Sequence, residues 1–169
     1  ATEGAECAAV ELSQPPDFDG VTTRADCPET TEFQLAGANG FKTIYARARD
    51  TLDNVGPVVS TSIELDMEDP VLPGITIDRG PGSIQEGDKY TNRMDLMVSL
   101  INPTPADTIH YGFINGGSCP AFRNLDTEIP YAPTFSVRAS RIGQNTICVA
   151  LANDAGNFSA VRYARITVD

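Results

Sequence analysis

Hydrophobic and polar residues alternate along most of this chain with the two-residue period of a β-strand. In the stretch TIYARARD (43–50), aliphatic residues alternate with Tyr45, Arg47 and Arg49, which predicts a half-buried strand with its arginines facing solvent. Turn-forming residues separate such stretches, and no helical period is sustained. The pattern therefore predicts an all-β chain built from antiparallel β-sandwiches.

Strands are predicted where this alternation persists between turn signals. In the first part of the chain they are Ala8–Leu12, Glu32–Ala36, Phe41–Asp50 and Val58–Asp66. In the second part they are Ile75–Asp78, Asp95–Leu100, Ile109–Asn115, Thr134–Ala139, Asn145–Asn153 and Val161–Asp169, with room for a short strand near Phe122–Ile129. The second set suffices for a complete sandwich, whereas the first set has no counterpart of the sandwich's first two strands.

The chain contains an internal repeat. The segments KTIYARARDTLDN (42–54) and NTICVALANDAGN (145–157) align with an offset of 103 residues, and the match continues until Asp66 aligns with Asp169. With one single-residue gap it also extends back over EFQLAGANGF (32–41) and TFSVRASRIGQ (134–144). A period of about 100 residues indicates tandem domains, because solenoid repeats are only about 20–50 residues long.

The repeat predicts two tandem β-sandwich domains, at 1–68 and 75–169, joined by a proline-containing linker at 69–74. The first domain lacks its N-terminal strands in this prediction, and half a sandwich would expose its core and a sheet edge. Three explanations stay open: truncation at the N-terminus, strands donated by another chain, or a reduced domain that folds without them.

The charge of the chain disfavours two classes of partner. The chain of 169 residues carries 23 acidic and 12 basic side chains, a formal net charge of −11. Residues 1–68 hold 13 of the acids and 4 of the bases, a net charge of −9. Nucleic acids and anionic membrane surfaces would repel such a chain. No apolar run approaches the ~20 residues of a membrane span, so we expect neither nucleic-acid binding nor membrane insertion.

Three phrases of the sequence carry a family resemblance. They are NGFKTIYARARDTLDNVG (39–56), IELDMEDP (63–70) and YTNRMDLMVSL (90–100). They resemble the bacterial immunoglobulin-like repeats of large secreted and cell-surface proteins, most closely over 33–100 and more loosely over 134–169, with Asp53 where the family phrase has glycine. The resemblance implies that the chain is two tandem immunoglobulin-like antiparallel β-sandwiches, the first lacking its N-terminal strands. It also implies a spacer, an adhesin segment or an accessory module, and fold alone does not select among these.

The four cysteines predict two disulfide bonds and therefore an extracellular, cell-surface or periplasmic location. Four cysteines allow three pairings. Cys27 and Cys119 occupy matching Cys-Pro sites of the repeat, whereas Cys148 aligns with Tyr45. Cys119 is therefore predicted to pair with Cys148 inside the second domain, which leaves Cys27 for Cys7.

Acidic residues near the first turn and the linker form the one candidate metal site. They are Asp50, Asp53, Asp66 and Asp69, and calcium prefers six to eight oxygen ligands. Their spacing is not that of an EF-hand loop, and Asp50 is well explained as a turn residue. We therefore expect no cofactor, with calcium as the ion to test.

No catalytic constellation is recognisable in the sequence. The single histidine, His110, has no G-x-S-x-G nucleophile motif to accompany it. The chain also lacks tryptophan, which would supply an aromatic platform for sugar rings. If a ligand binds, we expect it at Tyr131, which lies next to prolines, and at Phe122 and Arg123, which follow Cys119.

These observations predict a non-catalytic module that acts as an extended spacer or adhesin segment of a larger bacterial protein. Its expected partners are the flanking domains of a longer chain and a host-cell or surface glycan or protein. The alternative is a carbohydrate-recognition module attached to a secreted enzyme, which an exposed aromatic cluster near Tyr131 would favour. A catalytic domain would require two carboxylates in one cleft.

Overall fold

The computed structural model describes residues 6–19, 22–78, 90–115 and 118–169. The chain divides into two compact units, Ala1–Met67 and Glu68–Asp169, called unit 1 and unit 2 below. All regular structure in the described residues is β-strand, apart from one 3₁₀ turn at Phe122–Asn124. The all-β prediction is confirmed.

Unit 1 forms a single four-stranded antiparallel sheet. Its strands are β1 (Cys7–Ser13), β2 (Thr22–Ala25), β3 (Gly40–Asp50) and β4 (Val59–Leu65), in the order β2-β1-β3-β4. The pairing of β1 with β3 places Glu11 opposite Arg47 and Leu12 opposite Ala46. Because neighbouring positions on a strand point to opposite faces, one face of the sheet is ionic and the other is mainly apolar.

Unit 2 is a β-sandwich of two sheets. Its strands are β5 (Gly74–Asp78), β6 (Tyr90–Thr91), β7 (Asp95–Ile101), β8 (Thr108–Ile114), β9 (Thr127–Pro130), β10 (Thr134–Arg138), β11 (Gly143–Ala152) and β12 (Arg162–Val168). The smaller sheet has the order β10-β7-β5 and the larger has the order β6-β12-β11-β8-β9. Every pair is antiparallel except β6 with β12.

The core of unit 2 lies between its two sheets. The alternating pattern fills it from both sides, with aliphatic and aromatic side chains that are at least nine-tenths buried. They are Ile75, Leu96, Val98, Leu100, Phe135 and Val137 from the smaller sheet and Ile109, Ile147, Val149, Leu151, Ile166 and Val168 from the larger. Leu72, in the segment predicted as a linker, is 1% exposed and belongs to the same core.

The repeat in the sequence corresponds to a repeat in topology. The order β2-β1-β3-β4 of unit 1 matches the order β9-β8-β11-β12 of the larger sheet in unit 2. The described part of unit 1 contains no counterpart of β5, β6 or β7.

One strand prediction is wrong. Glu32–Ala36 carries an alternating pattern but forms no strand. Its counterpart β10 is a strand because it pairs with β7, and the described part of unit 1 provides no such partner. The short strands β2 and β6 were not predicted, because four and two residues are too few to show a period.

Candidate functional site

The end of the repeated segment, Asp50–Asn54, forms a tight turn after β3. The Asp50 carboxylate accepts hydrogen bonds through Oδ1 from the backbone N–H groups of Leu52 and Asn54, at 2.9 Å each. Its Oδ2 accepts a third bond, at 2.9 Å, from the Asn54 side-chain amide. These donors, the Asn54 amide first, hold the pKa of Asp50 below its ordinary value of 3.8.

The same turn follows β11 in unit 2. Asn153 Oδ1 accepts the backbone N–H of Asn157 at 2.9 Å, as Asp50 does with the residue four positions on. Each turn needs one residue with positive φ, supplied by Asp53 at 68° and by Gly156 at 86°. The repeat therefore places turn-forming residues at corresponding positions in both units.

The acids predicted as calcium ligands make other contacts. Asp53 accepts a hydrogen bond from Arg49 Nη1 at 3.0 Å, and Asp66 accepts one from the Asn39 side-chain amide at 3.1 Å. Asp69 is exposed and lies in unit 2. Among the residues the structure describes, no group of three or more His, Cys, Asp or Glu side chains could hold a metal ion.

An ion network occupies the ionic face of unit 1. Glu11 accepts hydrogen bonds from Arg47 Nε at 2.7 Å and from Arg49 Nε at 3.2 Å. Arg49 Nη1 also reaches Asp53, and the Arg47 guanidinium lies 4.0 Å from the centre of the Phe18 ring. The prediction that both arginines face solvent is therefore wrong, since their side chains are only 25% and 18% exposed.

Glu11 is the buried charge at the centre of this network, with 9% of its side chain exposed. The Arg47 hydrogen bond, followed by the hydrogen bond and charge of Arg49, holds the pKa of Glu11 below its ordinary value of 4.5 against the opposing effect of burial. The carboxylate is thus ionised and fully paired. This arrangement is structural and leaves no free acid or base for catalysis at Glu11.

Both predicted disulfides are confirmed, as Cys7–Cys27 in unit 1 and Cys119–Cys148 in unit 2. Cys148 lies on the outer face of β11, where it forms a second, smaller hydrophobic cluster with Leu125 and neighbouring apolar residues. The bridge holds the segment after β8 against the outside of the larger sheet.

An aromatic cluster lies at the edge of this covered surface. The rings of Phe122 and Phe158 stack with their centres 3.8 Å apart, and His110 meets Phe122 edge-on at 4.4 Å. His110 Nε2 also lies 3.2 Å from Thr108 Oγ1 and 3.8 Å from a Glu128 carboxylate oxygen. All three rings are half-buried.

The residues predicted to contact a ligand do not share one hydrophobic cluster. Tyr131 packs against the main core of unit 2, whereas Phe122 belongs to the outer cluster next to the disulfide. Arg123 is exposed beside Phe122. Sequence reasoning missed His110 and Phe158 as neighbours of Phe122, because only the pairing of β8 with β11 and the turn after β11 bring them together.

The fold defines unit 2 as an immunoglobulin-like sandwich of the class that includes fibronectin type III modules. The fibronectin(III)-like modules of CbhA from Clostridium thermocellum resemble the chain with a TM-score of 0.50 and 12% sequence identity, covering 100% of this chain and 82% of that one. The D00-D0 domain of intimin gives a TM-score of 0.28 and 10% identity, covering 95% of this chain and 78% of that one.

The first of these likenesses shows a shared fold and nothing further, and the second carries no argument. No protein-family profile matches the chain. A search of curated proteins gives no match either. None of the described residues belongs to a helix that could cross a lipid bilayer.

Proposed function

We propose that this chain is a non-catalytic module of a secreted or cell-surface protein, where it acts as a spacer or adhesin segment between other domains. The observation that carries the proposal is the duplicated module. Two units with the same four-strand order and one disulfide each follow one another in a single chain. Tandem disulfide-bonded sandwiches are typical of extended proteins outside the cytoplasm.

The chemistry of the described surfaces supports this role. Among the described carboxylates, Glu11 and Asp50 have a shifted pKa, and each is held ionised by hydrogen bonds within its own sheet or turn. A general acid in an active site would more often have a raised pKa. The flanking domains of a longer chain are the partners that a spacer requires.

A pulling experiment tests the spacer role. A spacer under tension should unfold only at high force and lengthen little when it does. The Cys119–Cys148 bridge prevents the 29-residue loop between its cysteines from being stretched. At about 3.5 Å per residue, reduction should lengthen the extension of unfolded unit 2 by roughly 100 Å. Unfolding at forces no higher than those for a collapsed, unfolded chain would contradict the spacer role.

A carbohydrate-recognition role is the second candidate, and the half-buried rings of Phe122 and Phe158 beside exposed Arg123 favour it. A glycan array, run with calcium and again with chelator, separates the two functions. Specific binding that Phe122→Ala removes and Phe41→Ala leaves intact would assign recognition to unit 2. Phe41 is the matched control because its ring is 79% exposed in unit 1. We expect a blank array in both conditions.

A further inference from the structure

The apolar face of the unit 1 sheet is unusually open. We call it the open face and define it by the apolar side chains that the strand register places together: Val10, Leu12, Ile44, Ala46, Ala48, Val59, Ile63 and Leu65. Two polar residues, Lys42 and Thr61, lie among them on the same face. Ala48 is exposed, Val59 is 63% exposed and Ile63 is 50% exposed. The other five apolar side chains are half-buried, so the described residues leave this face without a hydrophobic core.

The same face is closed in unit 2. Through the offset of 103 residues, Ile63 corresponds to Ile166, which is 3% exposed, and Ala48 corresponds to Leu151, which is fully buried. The difference arises because the sheet β10-β7-β5 covers the face in unit 2. Unit 2 therefore shows that a second sheet is what covers the corresponding face.

The segment Glu32–Ala36 points to the same missing neighbour. It is the counterpart of β10, and Phe33 and Leu35 keep the alternating half-buried pattern. Both backbone groups of Ala36 are bonded to the Gln14 side chain, at 2.6 and 3.2 Å. Glu32–Leu35 make no backbone hydrogen bond with any other described residue. A segment with strand-like alternation and no backbone partner among the described residues can accept a neighbouring strand.

The edge of the sheet gives a third, independent indication. β4 is the last strand of unit 1 and is exposed over nearly its whole length. Its counterpart β12 is covered at that edge by β6. The face, the edge and the segment 32–36 thus all lack the neighbours that β5, β6 and β7 supply in unit 2.

We infer that the open face binds an added β-strand built like β7, with apolar side chains at alternate positions, from a polypeptide outside residues 1–169. The register of β10 with β7 predicts its pairing with Glu32–Ala36: Phe33 would lie opposite the counterpart of Val98, and Leu35 opposite that of Leu96. Its alternate side chains would bury Ile44 and Ile63. The net charge of −9 on residues 1–68 favours a strand that is neutral or basic.

A second copy of this chain is the competing occupant, and the structure favours it less. Two open faces packed against each other would bury Val59 and Ile63. They would leave Glu32–Leu35 unpaired, because neither copy would bring a strand to that segment. An added strand satisfies the face and the segment together.

The test uses the intact, oxidised 169-residue chain and a labelled peptide with the sequence of Arg93–Asn102, which contains β7 and has no net charge from its side chains. We expect saturable 1:1 binding in fluorescence anisotropy, together with slower amide exchange at Phe33–Leu35. The variant Ile63→Ser should weaken binding about tenfold or more, because an apolar contact is lost. Phe41→Ser is the matched control, since Phe41 is more exposed and lies on the opposite face of the same sheet.

Three results would overturn the inference. The first is the absence of saturable binding, and the second is equal binding by a control peptide in which Leu96, Val98 and Leu100 are replaced by serine. The third is a dimer in light scattering that protects the amides of β4 without peptide and that Ile63→Ser dissociates, because this result would assign the open face to a second copy.

Discussion

Glu11 is the buried carboxylate that pairs with both arginines of the ion network in unit 1. Replacement by glutamine keeps the shape of the side chain but removes the charge that two guanidinium groups share. We expect Glu11→Gln to lower the free energy of unfolding of unit 1 by about 1–3 kcal/mol, the usual effect of weakening buried charged hydrogen bonds. Urea unfolding at pH 7 measures it. Asp53→Asn is the control and should change stability by less than about 1 kcal/mol, because the Asp53 side chain is 81% exposed.

The same residue makes unit 1 sensitive to acid. The folded-state pKa of Glu11 lies below its ordinary value of 4.5, so the unfolded state binds protons more readily. The stability from ionised Glu11 is therefore present above pH 4.5 and is lost as the pH falls through the lower, folded-state pKa. The wild-type protein should lose more stability than Glu11→Gln between pH 5 and pH 3 in urea titrations. Parallel losses would assign the acid sensitivity to other carboxylates.

The disulfide of unit 2 restrains the unfolded chain. Its cysteines are 29 residues apart, and Cys148 is fully buried. Loop-closure entropy gives a stabilisation of about 3–4 kcal/mol for a loop of this length. The double variant Cys119→Ala, Cys148→Ala should therefore lower the free energy of unfolding of unit 2 by this amount. Urea unfolding measures the change. Unchanged unfolding of unit 2 would show that the bridge adds nothing to its stability.

Among the secondary-structure elements, β4 and β12 form a natural pair for comparison. Ile63 and Ile166 occupy the same position of the repeat, but Ile63 is 50% exposed and Ile166 is 3% exposed. We expect Ile166→Ala to cost about 2–5 kcal/mol, as for a buried aliphatic side chain, and Ile63→Ala to cost less than about 1 kcal/mol. Thermal unfolding of both variants measures the difference. Equal costs would mean that the open face is covered in solution.

The elements also show why an alternating pattern is not sufficient for a strand. Glu32–Ala36 and β10 share the pattern, and only β10 has a strand beside it in the described chain. Backbone hydrogen bonds between strands, rather than side-chain periodicity, decide whether such a segment is a strand. The pattern records which side chains could be buried, and the partner strand decides whether they are.

In the molecule as a whole, the segment 69–74, predicted as a linker, is part of the packed structure of unit 2. Leu72 is 1% exposed in the main core, the Val71 N–H bonds to Thr104 Oγ1 at 2.7 Å, and Arg162 Nε bonds to the Leu72 carbonyl at 2.7 Å. Leu72→Ala should cost about 2–5 kcal/mol in unit 2. Val71→Ala, at a position 52% exposed, should be within about 0.5 kcal/mol of wild type. Calorimetry of the two variants tests whether this segment belongs to the core.

Much of the architecture could be read from the sequence, because it depends on local or duplicated signals. Alternation over five or more residues located the long strands within one or two residues, as at Gly40–Asp50 and Thr134–Arg138. The repeat paired the cysteines correctly, because the matching Cys-Pro sites at Cys27 and Cys119 lie in different units and each unit then holds one further cysteine, Cys7 or Cys148.

The tertiary structure alone decided what each face of a strand contacts. Arg47 is paired with buried Glu11, Tyr131 packs into the core away from the Phe122 cluster, and Ile63 is exposed where its repeat partner is buried. These outcomes depend on segments far away in sequence that cover a sheet or leave it bare. The sequence determined the long strands, their repeat and the disulfides because those follow from local period and alignment. Burial and the candidate site required the three-dimensional arrangement because side-chain environments are set by non-local neighbours.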